Sequence, residues 1–137
     1  MKLWSLGMLG FILVLNACGS LEKEGGSGGT NLVPVNVQNI FTDHCAVSGC
    51  HAGSSPRAGQ NLSEAYAYDA IVDVTSSEQP SLKRVLPFDP DNSYLVQKIE
   101  GAGGISGDRM PQDGPPYLTG AQVDTIRTWI ANGALPR

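Results

Sequence analysis

The chain has 137 residues with a formal net charge of -4, 41% hydrophobic and 16% charged residues, and three cysteines. That composition suits one modest domain with attachments. An acidic chain without a basic run makes a poor nucleic-acid binder, so DNA and RNA are excluded as expected partners.

In chain order, Met1-Lys2 supplies one positive charge and Leu3 to Leu15 is almost entirely apolar. The run is short for a membrane span and reads as a secretory signal, residues 1–17. Leu15-Asn16-Ala17-Cys18 resembles a bacterial lipobox, in which Cys18 is lipidated and becomes the first mature residue. Gly19-Ser20 carries no aspartate after that cysteine, which tilts the anchor toward the outer membrane. Loss of Lys2 takes the charge from -4 to -5. Residues 18–32 then form a polar, glycine-rich tether that cannot bury a core and spans on the order of 20 Å. The globular domain is expected over residues 33–137.

Within it, Val37, Ile40, Phe41 and Cys45 follow a helical repeat, predicting a helix from Val35 to Cys45. Ala52 to Gln60 reads as loop. Asn61 to Glu64 offers a cap for a helix over Ala65 to Val74, with Tyr66, Ala70 and Val74 at four-residue intervals. The prolines of Val85 to Pro90 demand extended or turned backbone. Asp91-Asn92-Ser93 reads as a capping cluster before a helix from Tyr94 to Glu100, which Gly101 stops. Thr119 and Gln122 form a capping box that opens the clearest helix, with Val123, Ile126, Trp129 and Ile130 as its buried stripe and Asn132-Gly133 as its end. No convincing strand and no internal repeat occurs.

The chemistry centres on Cys45-Ala-Val-Ser-Gly-Cys50-His51, a C-x4-C-H arrangement. In C-x2-C-H, two thiols form thioether bonds to the vinyl groups of haem and the following imidazole ligates the iron. A four-residue gap requires Val47 to Gly49 to bulge outward, with Gly49 supplying backbone freedom at the turn toward Cys50. With Cys18 assigned to lipid, Cys45 and Cys50 remain as a pair. Two other uses of that pair stay open here. Zinc accepts such spacings and His44 and His51 flank the cysteines, although adjacent residues converge poorly on one tetrahedral ion. A Cys45–Cys50 disulfide would suit an oxidising compartment.

If haem is present, the iron needs a second axial ligand. Met110 is the one methionine left once Met1 and Met8 leave with the signal, and it sits between Arg109 and Pro111 in a Gly/Pro-rich loop. His/Met ligation raises the reduction potential relative to two histidines. The alternative for Met110 is the common task of filling a gap in the core. His44 reads as a solvent-facing helix-end residue. Arg84 and Arg109 are candidate partners of haem propionates, or solvated loop arginines. The tyrosines Tyr66, Tyr68, Tyr94 and Tyr117 read mostly as packing.

These residues resemble a bacterial c-type cytochrome domain related to the planctomycete-type cytochrome c module. The resemblance rests on Ile40-Phe41 before the Cys45-to-His51 motif, on Pro87 to Leu95 with Lys98 and Gly101, on Arg109-Met110-Pro111, and on Gly114 to Ala134. It implies an all-α domain similar to class I cytochromes c, with about three to five short helices around one covalent haem c. The N- and C-terminal helices would cross beside the haem, Cys45 and Cys50 would be the thioether sites, His51 the proximal ligand and Met110 the distal one. The function it implies is a lipid-anchored, periplasm-facing electron carrier without substrate chemistry, exchanging electrons with a dehydrogenase, an oxidase or another cytochrome. The competing functions are a disulfide-stapled structural or interaction lipoprotein, and a haem sensor or peroxidase-like enzyme in which Met110 leaves the iron.

Overall fold

A computed structural model describes residues 31–114 and 116–137. The signal segment, Cys18 and the tether through residue 30 lie outside the described residues. Among the described residues the elements are four α-helices, α1 (Val35–His44), α2 (Ala67–Ile71), α3 (Tyr94–Glu100) and α4 (Gly120–Ala131), with a short 3-10 turn at Arg57–Gly59 and no strand. The all-helical expectation holds at that level. No helix among the described residues is long and apolar enough to cross a membrane.

Helix α4 forms because its first turn is satisfied locally. The Thr119 hydroxyl accepts from the Gln122 amide, and the Gln122 side chain accepts from the Thr119 N–H at 2.8 Å. Its buried residues are Val123, Ile126, Trp129 and Ile130, the stripe that the periodicity predicts. That face packs on both α1 and α3. The α1 contribution is Val37, Ile40 and Phe41, and the α3 contribution includes Leu95, Val96 and Ile99. Arg127 reinforces the α3–α4 contact by pairing with Asp91 and Glu100. The two chain ends of the domain also meet: the Arg137 N–H donates to the Leu32 carbonyl at 2.9 Å beside the fully buried Val33.

Helix α2 is shorter than its sequence suggests, and its buried residues are Ala67 and Ile71. Of Tyr66, Ala70 and Val74, which recur at four-residue intervals, Ala70 packs partly buried against the core, whereas Tyr66 is 60% exposed and does not pack there as expected. Backbone pairing with a distant segment ends the helix. Asp73 N–H donates to Val85 O at 2.9 Å, Arg84 N–H to Val74 O at 2.7 Å and Ser76 N–H to Leu82 O at 2.9 Å. Three bridges of this kind, Val72–Val85, Thr75–Lys83 and Lys83–Ser93, stay isolated and build no sheet. They hold the 72–85 excursion against α3.

Ser93 sits at the N-cap of α3 but makes no capping bond. It is fully buried, and its hydroxyl donates to Asp89 O and accepts from Leu86 N–H, both at 2.8 Å. The hydroxyl therefore staples the Pro87–Asp89 turn instead of the helix start. At the other end Gly101 adopts φ +72, the left-handed geometry that closes the helix. A Cβ there would come within 2.8 Å of the Arg109 side chain, so glycine also permits the close return of the loop that carries Met110.

Candidate functional site

Between α1, α3, α4 and the loops that follow α1 lies a cavity of about 70 Å³. One wall is apolar, built from Phe41, Leu62, Leu95, Ile99, Leu118 and Ile126. Cys45, His51 and Met110 line the same cavity and also an adjoining opening toward solvent, where Cys50 and Pro111 join them. The Cys45-to-His51 motif and Met110, 59 residues further along the chain, thus share one apolar space.

The Cys45-to-His51 segment is positioned by its own backbone. Cys45 N–H and Ala46 N–H both donate to Phe41 O, at 2.9 and 2.7 Å, which ends α1 at the first cysteine. The His51 N–H then donates to Cys45 O at 3.1 Å, so the histidine returns directly beneath the first cysteine. The residues between are pushed outward: Val47, Ser48 and Gly49 are exposed, and Gly49 has φ +79. This is the bulge that a four-residue gap requires. Arg57 braces it, donating through Nε to Gly49 O at 2.9 Å and through Nη1 to Gln112 Oε1 at 2.7 Å. That second bond reaches the loop of Met110.

The imidazole of His51 is fixed by a residue that sequence reading did not single out. Its Nδ1 lies 3.2 Å from the Gln60 carbonyl. A carbonyl only accepts, so Nδ1 carries the proton and Nε2 keeps its lone pair free. Burial lowers the His51 pKa, with the Gln60 hydrogen bond opposing, so the ring favours its neutral form. Those are the requirements for a histidine that ligates a metal through one nitrogen while a second partner orients it. The position of Gln60 is held in turn: Leu62 N–H donates to His51 O at 2.8 Å, and Gln38 of α1 donates to Leu62 O at 2.9 Å.

The two cysteines differ in setting. Burial, then the neighbouring Cys50 and Asp113, push the Cys45 thiol up to about 12. It is a protonated, uncharged group at neutral pH, compatible with a thioether and ill suited to thiolate chemistry. Both cysteines are free thiols in the structure. Among the described residues no three or more His, Cys, Asp or Glu side chains converge to hold a metal. His44, the fourth member of the zinc alternative, is an exposed residue at the end of α1 whose ring nitrogen lies 2.9 Å from Gln122 Nε2 on α4.

Met110 is half-buried and packs against the core cluster. Its N–H donates to Lys98 O at 2.9 Å, which anchors the loop to the last turn of α3. Of the two candidate arginines, Arg84 lines the cavity and Arg109 does not. Both are half-buried and hydrogen-bonded to backbone carbonyls. Arg84 donates to the carbonyls of Ala70 and Ala58 at 2.7 Å, and burial lowers its pKa. Arg109 donates to Ile99 O at 2.8 Å and lies 4.2 Å from the Tyr117 ring centre. Tyr94 lines the cavity, whereas Tyr66 faces outward.

No family model, no curated protein and no solved structure matches the chain.

Proposed function

We propose that the chain is a membrane-tethered monohaem c-type cytochrome that carries single electrons in the bacterial cell envelope. The observation that carries this reading is the shared cavity. Cys45, His51 and Met110 meet along one apolar space, and His51 is oriented with one nitrogen free. The donor set fits haem c: Cys45 and Cys50 would hold it covalently, His51 would ligate the iron on one side and Met110 on the other. When bound, the haem supplies reversible one-electron chemistry.

The protein's own tasks follow from its residues. Phe41, Leu62, Leu95, Ile99, Leu118 and Ile126 exclude water from the cavity. Gln60 fixes the imidazole. The exposed edge at Cys50, Val47 and Pro111 is the open side of the site, where a dehydrogenase, an oxidase or another cytochrome would approach. Electron-transfer encounters are small and weak, so a short exposed edge suffices. The C-x4-C-H motif, the Arg109-Met110-Pro111 segment and the cytochrome-like pattern through Ala134 support the same class. The lipobox at Cys18 supports tethering, with the outer membrane preferred.

Voltammetry of protein matured in an oxidising compartment tests this role. The expected result is one reversible one-electron wave and no peroxide turnover above that of free haem. Sustained peroxidase turnover would replace the carrier with an enzyme.

A further inference from the structure

We propose that Lys98, together with Glu78 and Tyr94, is the positioning group that holds the Met110 loop, and so sets how firmly Met110 keeps its place in the cavity. The inference rests on the reading of Met110 as a ligand.

A lysine on the buried face of α3 calls for a reason, because lysine is almost never fully buried unless paired. Lys98 is only 8% exposed and stands among the buried Leu95, Val96 and Ile99. Its ammonium donates to Ser106 O at 2.7 Å and pairs with Glu78 Oε2 at 3.2 Å. Tyr94, one turn earlier on the same helix face, donates its hydroxyl to that carboxylate oxygen at 3.0 Å. The same hydroxyl accepts from Ser106 N–H at 2.9 Å. Ser106 is therefore gripped by both of its backbone groups.

The other holds on the loop converge on the same two segments. Met110 N–H donates to Lys98 O at 2.9 Å, Arg109 Nε to Ile99 O at 2.8 Å, and Gln79 Nε2 to Gly104 O at 3.0 Å. The loop leaves α3 at Gly101 and returns to α3 at Met110, pinned midway by Lys98 and Tyr94. Without such bonds a Gly-rich loop opens locally at little free-energy cost. Glu78, Tyr94, Lys98 and Met110 all line the cavity, so the clamp and the thioether share one space. The Glu78 carboxylate holds the ammonium in place, and the ammonium holds the loop.

Imidazole added to the oxidised, haem-loaded protein competes with Met110 and reads the strength of this clamp. Lys98→Met keeps length and burial but removes the charge, and Glu78→Gln keeps shape but removes the pairing. Both are expected to bind imidazole roughly tenfold to a hundredfold more tightly than the parent, the effect of losing one charge-assisted hydrogen bond. Lys98→Arg is expected to recover part of the parent's resistance, an outcome that a purely steric role would not give. Where Lys98→Met fails to fold, Glu78→Gln and Tyr94→Phe carry the same measurement.

Imidazole affinities within twofold of the parent in the folded variants overturn the proposal. A parent with haem but without a sulfur-to-iron charge-transfer band overturns Met110 ligation itself, and with it this inference. That result is visible before any residue is changed, so the two failures are distinguishable.

Discussion

Replacing Met110 by Ala is expected to abolish the sulfur-to-iron charge-transfer band and to lower the reduction potential. The fall should be roughly 0.1 to 0.3 V, a fraction of the roughly 0.8 V over which axial ligands tune haem proteins. The direction follows from chemistry: a thioether raises the potential, and its loss leaves water or a stronger donor in its place. Met110 also packs half-buried against the core cluster, so the same change should cost about 2 kcal/mol, the low end for truncating a buried methionine. The two effects separate the two roles. A methionine that only fills a gap would lower stability and leave spectrum and potential unchanged.

The second large effect concerns what fills the cavity. In a Cys45→Ala/Cys50→Ala double variant, haem is no longer tethered, and the apolar wall of Phe41, Leu62, Leu95, Ile99, Leu118 and Ile126 has nothing fixed against it. The cost should at least equal that of a large-to-small core substitution, about 3–5 kcal/mol. For a domain of this size that lowers Tm by more than about 10 °C. Thermal unfolding followed by circular dichroism checks this. Parent and variant that are both colourless and melt within a few degrees of each other would contradict it.

A residue's role is legible in the sequence where that role is local. The capping box of Thr119 and Gln122 and the stripe from Val123 to Ile130 announce α4, because both signals lie within one helix. Gly49 announces its turn in the same way, since its positive φ answers to the length of the cysteine gap. Cys45, His51 and Met110 were recognisable by donor chemistry, and the fold brings all three to one cavity. Where the reading failed, a distant segment decided the outcome. Helix α2 ends early because Val85 and Leu82 offer its backbone other partners. Ser93 looked like a cap and became a staple for the preceding turn.

Gln60 could not have been found from the sequence, because it acts through a carbonyl that every residue carries. Arg84 and Arg109 stand out in the sequence for their charge, yet both donate to backbone carbonyls that only the folded chain places within reach. Lys98 did leave a trace: it falls four residues after Tyr94 and three after Leu95, at the helical spacing of the buried face. Its partners, Glu78 and Ser106, lie outside that helix, so its purpose required the structure.

The central claim is that Cys45 and Cys50 carry haem, and the intact mass of the denatured mature protein tests it most directly. Protein produced in an oxidising compartment with a cytochrome maturation system should retain the mass of one haem after denaturation, located on the peptide that holds Cys45, Cys50 and His51. A colourless protein in which that peptide carries two free thiols or a disulfide would contradict the account.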